Sequence, residues 1–169
     1  MSAAFAACPS STLAATLNVL SCSDDSAATG TLRKVIAGAG FADIIEMSSP
    51  SLGCSTITLS QGEIPIKQDQ LALHGPSDRT FVITANGNSR VFHAYGAGAI
   101  QITDLTITGG WVYSFSGNAY GGCIYSESAA SIILTSSTVT GCSVGTGGGA
   151  GGIIAAGGGI WALENVTLN

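Results

Sequence analysis

Apolar residues return at a fixed phase through the second half of this chain. Residues 91–107 read VFHAYGAGAIQITDLTI and residues 123–139 read CIYSESAASIILTSSTV, 32 positions apart and without a gap. Phe92/Ile124, Ile100/Ile132, Ile102/Leu134 and Ile107/Val139 are apolar in both copies, and most positions between them are small or polar. A third copy opens at Gly159-Ile160-Trp161, 36 after Cys123-Ile124-Tyr125. It runs to Asn165-Val166-Thr167-Leu168-Asn169, which aligns with Ser131-Ile132-Ile133-Leu134-Thr135 and stops mid-unit. Period-two alternation inside each unit predicts short strands. A unit repeated at this length cannot bury its own apolar face and must stack on its neighbours, so the pattern predicts an all-β solenoid.

Upstream the pattern changes. Residues 17–20 read as a first strand, followed by a polar turn region to Gly30. Leu32, Val35 and Ile36 then fall at i, i+3 and i+4. Thr31 is placed to N-cap a short helix, and Gly38 and Gly40 to stop it. A helix here would cover the apolar end and the open strand edges of the first coil. Short β-type runs follow at 44–45, 56–59, 64–66, 71–73 and 81–84, punctuated by Gly, Pro, Asn or Asp. Two glycine-rich insertions, 109–122 and 141–158, occupy the same place in successive units, so both emerge on one side of the stack. The first carries Trp111, Tyr113, Phe115 and Tyr120; the second is nearly featureless, and its stretch 145–152 has no Lys or Ser/Thr at phosphate-loop spacing and reads as a flexible turn.

Composition narrows the function classes. The chain has five Lys/Arg against ten Asp/Glu, a net charge of −5, and every basic residue (Arg33, Lys34, Lys67, Arg79, Arg90) lies in the first 90 positions. Such a chain has no basic stripe to neutralise a phosphate backbone, which argues against nucleic acid as a partner. The many Gly, Ser and Thr do not imply disorder, because Ile, Val and Leu recur at fixed phase. No apolar run approaches the ~18 residues of a membrane helix. Five cysteines without a CxxC, beside only two histidines, point to disulfides rather than zinc. Cys22 and Cys54 flank the N-terminal segment and Cys123 and Cys142 sit at the two ends of one unit, leaving Cys8 over. Residues 1–17 read as a leader remnant or flexible terminus, and FAAC at 5–8 is a poor approximation to a lipid-attachment site.

GTLRKVIAGAG followed by Asp43-Ile44-Ile45, then STITLSQGEIPI, LALHGP, ITANGNSRVF and DLTITGG run in an order that resembles bacterial secreted right-handed parallel β-helix proteins. These are the pectate-lyase-like repeat proteins, including polymorphic outer-membrane-type surface proteins. The resemblance covers about residues 17 to 169. It implies a right-handed parallel β-helix with three strands per coil, a cap over residues 18–40, coils over 41–169, and a secreted or cell-surface location. Members of the group continue with further coils and a C-terminal anchor, which marks this chain as the N-terminal piece of something longer or a shortened gene. An unfinished last coil would favour end-to-end self-association.

Enzymes of this architecture cleave acidic polysaccharides with clustered carboxylates, often calcium, and an Arg or Lys. The repeat aligns Asp104 with Ser136 and Glu127 with Tyr95, so no carboxylate pair forms by phase. Asp24 and Asp25 read as a polar turn before the helix. No catalytic residue, cofactor or metal is assigned; His74 and His93 have no third ligand in view. His93, Tyr125 and Trp161 are equivalent in three units, next to the inward Phe92, Ile124 and Ile160, and predict one outward ladder of rings. Together with Trp111, Tyr113 and Tyr120 they form the candidate binding set, suited to sugar faces or another protein, unless the rings merely cover one another. Thr106-Ile107-Thr108 and Thr138-Val139-Thr140 form two TxT rungs, the pattern expected of an ice-ordering surface. The sequence therefore predicts a non-enzymatic secreted or cell-surface scaffold or adhesin. A carbohydrate-binding or polysaccharide-degrading (lyase or glycoside hydrolase) module is the alternative, and ice binding a minor one.

Overall fold

A computed structural model describes residues 13–127, 129–147 and 154–169. The chain is a parallel β-solenoid of about five turns with one short helix. Three sheets run along it. A six-stranded face stacks Thr16–Asn18, Asp43–Glu46, Leu71–His74, Ala99–Thr103, Ser131–Thr135 and Val166–Leu168. A threonine face stacks Thr56–Thr58, Val82–Thr84, Thr106–Thr108 and Thr138–Thr140. A ring face stacks Ile64–Ile66, Phe92–Ala94, Ile124–Ser126 and Ile160–Ala162. Each complete coil visits the three faces in that order.

The register is the one the sequence pattern gives. Phe92 pairs with Ile124, Ile100 with Ile132, Ile102 with Leu134, and Ile107 with Val139. The third copy continues it, with Ile124 beside Ile160, Ile132 beside Val166 and Leu134 beside Leu168. Alternation then sorts the side chains. One inward ladder on the six-stranded face runs Leu17, Ile45, Leu73, Ile102, Leu134, Leu168, and its four central members are buried. The core is the four central members of this ladder together with Ile57, Ile83 and Ile107 from the threonine face and Ile64, Phe92 and Ile124 from the ring face. Each such aliphatic side chain contributes ~1.5–3 kcal/mol relative to an exposed one.

Turns between faces reuse one conformation. Asp104 and Ser136, one unit apart, both have positive φ (56° and 51°) and both lead from the six-stranded face into the threonine face. Short polar side chains tolerate this left-handed geometry. Asp104 also faces Arg79 at 3.5 Å. Its work is in the turn.

The first coil is built differently. The helix, Leu32–Gly38, has Thr31 as N-cap, whose hydroxyl accepts from the Lys34 N–H at 3.3 Å. Leu32 and Ile36 are buried, and the helix packs against Ile64–Ile66, the terminal strand of the ring face. It thus covers a sheet edge as expected. The Gln68 side-chain amide donates to the carbonyls of Ile36 and Ala39 at 2.8 and 3.0 Å, satisfying the helix C-terminus. The preceding strand is Thr16–Asn18, slightly earlier than residues 17–20. Asp43 ties that segment down by accepting from the N–H groups of Ala15 and Gly40, each at 2.7 Å, and these bonds hold its carboxyl below the usual range.

Cys22 is bonded to Cys54 and Cys123 to Cys142, with Cα atoms 6.5 and 5.5 Å apart. The first links the cap to the first coil, and the second ties Cys123, directly after the first insertion, to Cys142 at the start of the second. Cys8 lies outside the described residues. No described helix is long and apolar enough to cross a membrane.

Candidate functional site

The two insertions do not end as loose loops. Trp111–Ser114 pairs in parallel with Ser143–Thr146, and Ala119–Tyr120 with Ala155–Ala156, so they stack as two small ribbons between the threonine and ring faces. The stretch 145–152 therefore begins as strand rather than as a turn; its remainder from 148 lies outside the described residues. This arrangement divides the six candidate binding residues into two groups.

His93, Tyr125 and Trp161 stand in register on the ring face, as the repeat requires. Ring centroids are 4.7 Å apart from His93 to Tyr125 and 5.3 Å from Tyr125 to Trp161, with planes inclined by 40° and 48°. Tyr120 reaches in from the insertion, 4.6 Å from Trp161. Tyr95 stacks on His93 at 3.9 Å. The rings lean into one another instead of presenting a flat strip. His93 is buried at 7% exposure, and Tyr125 and Trp161 are half-buried. The open ladder expected from strand phase is thus corrected: its first member is roofed by Tyr95.

Charged groups complete this cluster, and the repeat pattern alone does not bring them together. Glu63, just before Ile64–Ile66, accepts from His93 Nδ1 at 2.7 Å and from Arg90 Nη1 at 2.8 Å. Arg90 also donates from Nε to the Tyr120 carbonyl at 2.9 Å and lies 4.8 Å over the Tyr125 ring. One guanidinium therefore joins three successive coils. Glu127 Oε2 stands 3.3 Å from His93 Nε2, close enough to attract but too far out of line for a hydrogen bond. Burial pushes the Glu63 carboxyl up, yet the bonds and charges of Arg90 and His93 outweigh it and leave Glu63 below the usual range. Burial and the Glu127 charge push the Tyr125 hydroxyl up.

Two carboxylates thus flank one imidazole, a proximity that the Glu127/Tyr95 alignment did not anticipate. They approach opposite ring nitrogens of His93, so the three groups do not converge on a point where a metal could sit. Among the described residues no His/Cys/Asp/Glu group has that form. The other acids singled out from sequence are structural. Asp24 is buried and accepts from Arg33, Ser60 and Gln61, and Asp25 accepts from the Ala27 N–H. His74 faces Glu46 at 3.8 Å on the six-stranded face.

Trp111 and Tyr113 form the second group, with Phe115. They alternate along one strand and remain exposed, at 48% and 39%, and Phe115 at 81%. The Trp111 and Tyr113 rings are 5.9 Å apart with planes only 29° from parallel, and Phe115 meets Tyr113 edge-on at 4.7 Å. A cleft of about 500 Å³ lies among Asn88, Trp111, Tyr113 and Phe115. These rings are more exposed than His93, Tyr125 and Trp161 on the ring face.

The threonine face extends further than two rungs. Thr56, Val82, Thr106 and Thr138 form one outward row, and Thr58, Thr84, Thr108 and Thr140 the other. Seven of these eight outward positions are threonine, across four coils. No protein-family model, curated protein or solved structure matches this chain.

Proposed function

We propose that this chain is a non-enzymatic scaffold that works outside the cytoplasm, holding recognition surfaces in fixed spacing as a structural or adhesive element. The observation that carries the reading is the unbroken in-register stacking of three parallel sheets over about five turns, capped by a helix at one end. A solenoid of this kind gains stability from each neighbouring coil and serves as a stiff rod with broad lateral faces. Two disulfides support an oxidising location. The ordered motifs that resemble right-handed pectate-lyase-like repeat proteins support a surface or secreted setting. The acids of the ring face are tied to Arg90 and His93, which favours a structural use for them over a catalytic one.

Beads coated with the intact protein should adhere to cell surfaces or extracellular matrix. The same protein should release neither reducing ends nor unsaturated uronates from a polysaccharide panel at acid, neutral or alkaline pH. Turnover that Glu63→Gln or Glu127→Gln abolishes would replace this reading by an enzymatic one.

The four stacked strands of the threonine face favour a second use of it. Rows repeat at ~4.8 Å between coils and ~6.6 Å along each strand, a regular array of hydroxyl and methyl groups that could hold an ordered layer of water. Thr84 Oγ1 accepts from the Asn86 N–H at 3.1 Å, which fixes that side chain in the array. If the array engages ice, nanolitre osmometry should record thermal hysteresis and faceted crystals. Thr106→Tyr, placed mid-array, should abolish both. Round crystals and no hysteresis from the wild-type protein would remove this use.

A further inference from the structure

We propose that the cleft formed by Asn88, Trp111, Tyr113 and Phe115 binds an uncharged polysaccharide, two consecutive pyranose units lying against Trp111 and Tyr113. It rests on the extracytoplasmic reading above only for access to such polymers.

The strand Trp111–Ser114 is pinned on both sides. The Trp111 N–H donates to the Ser89 carbonyl of the preceding coil at 2.9 Å, and the strand pairs residue for residue with Ser143–Thr146 of the next. Trp111 and Tyr113, two positions apart, therefore project to the same side of a paired strand rather than from a free loop. Rings fixed in this way lose little further freedom on binding, which is what makes aromatic side chains effective contact groups.

What lies beneath Tyr113 explains how its ring is seated. Its register partner is Gly145, where an added Cβ would come within 3.0 Å of Tyr113 Cδ2. A Cβ at Gly147 would stand 3.1 Å from the Tyr113 hydroxyl and 3.4 Å from Phe115 Cα. The ring lies along bare backbone of the following coil, and any side chain there would crowd it. The insertion with no chemistry of its own is the seat on which the first insertion lays its aromatic group.

The lining selects the occupant. A pyranose presents a face of C–H groups rimmed by hydroxyls, and its C–H face suits an exposed aromatic face. Near-parallel rings 5.9 Å apart match successive units of an extended chain better than one isolated ring would. Asn88, exposed at the cleft edge, supplies both a donor and an acceptor for a hydroxyl. None of the four lining side chains is charged, so the complementary ligand is neutral. Polygalacturonate and other acidic chains would gain no counter-charge here. Phe115 closes the cleft at one side by meeting Tyr113 edge-on.

Affinity electrophoresis of the intact protein through gels containing xyloglucan, galactomannan, mixed-linkage β-glucan or polygalacturonate tests the proposal. Retardation by at least one neutral polymer, little changed by added salt, is the expected result. Trp111→Ala and Tyr113→Ala should each weaken it about tenfold or more, while Trp161→Ala on the ring face should leave it unchanged. Gly145→Leu, which displaces the Tyr113 ring without removing it, should also weaken binding. Circular dichroism and melting of Trp111→Ala and Tyr113→Ala must match wild type, as expected for exposed side chains. Retardation by no neutral polymer, by polygalacturonate alone, or equally in Trp111→Ala would overturn the assignment. So would retention of the protein by another protein that competes with the retarding polymer and does not need Trp111. Bead adhesion scored with the same variants separates the two readings. Adhesion that survives Trp111→Ala leaves the scaffold standing while the cleft fails.

Discussion

Ile102→Asp should abolish the cooperative β-type melt, whereas Gln101→Asp, one residue away, should leave it within about 0.5 kcal/mol of wild type. Ile102 is fully buried, with Leu73 on one side and Leu134 on the other, near the middle of a six-rung ladder. Gln101 belongs to the same strand and points out. Truncating such a buried aliphatic costs about 2–5 kcal/mol even when the replacement is apolar. A carboxylate adds the cost of burying a charge with no partner, or of protonating to avoid it. Because a solenoid couples only adjacent coils, a failed rung in the middle separates the capped half from the insertion-bearing half. Neither half then has neighbours on both sides. Circular dichroism and sedimentation should show an unfolded or associated chain for Ile102→Asp. A wild-type melt in that variant would mean that Ile102 does not face the core.

The same alternation explains what could be read before the structure. Between the last full coils the connecting segments keep their length, so the linear repeat and the spatial register coincide, and Phe92, Ile102 and Ile107 find their partners by counting. In the earlier coils the turns differ in length. The steps from Thr56 to Val82, from Val82 to Thr106 and from Thr106 to Thr138 are three different separations, although the strands stack in register. Counting therefore yields two TxT rungs, and stacking adds Thr56-Ile57-Thr58 and Val82-Ile83-Thr84 to the same face. Glu63 is hidden from the repeat for the same reason: it precedes Ile64, whose partner Phe92 lies in a coil of another length. Strand phase also says only which side of a sheet a residue takes. It places His93 outside the core and says nothing of the neighbouring outward side chains, Tyr95 among them, that bury it. The featureless second insertion shows the limit from the other direction, since glycines at 145 and 147 matter through the ring they leave room for.

Asp24→Ala should destabilise the cap by about 3–5 kcal/mol, the usual consequence of removing one partner of a buried ion pair. The Asp24 side chain is 1% exposed and that of Arg33 13%. Its carboxylate accepts from Arg33 Nε and Nη2 at 2.9 and 3.1 Å and from the backbone N–H groups of Ser60 and Gln61 at 2.7 and 2.8 Å. Arg33 in turn donates to the carbonyls of Gly62 and Glu63. The pair thus fastens the helix to the turn that leads into the ring face. With alanine in place of Asp24, a guanidinium and two N–H groups lose their acceptor where water reaches poorly. Asp24→Asn keeps one acceptor oxygen but turns an NH₂ toward donors, so it should recover only part of the loss. For a chain of this size the melting point should fall by roughly 6–20 °C if unfolding stays cooperative. Hydrogen exchange gives the sharper reading, because the damage is local to the first coil. Amides of Val35, Ile36 and Ala39 should lose protection while those of Ile102 and Ile132 keep theirs. Equal protection of the helix in wild type and Asp24→Ala would show that the apolar contacts of Leu32 and Ile36 hold the cap without the clamp.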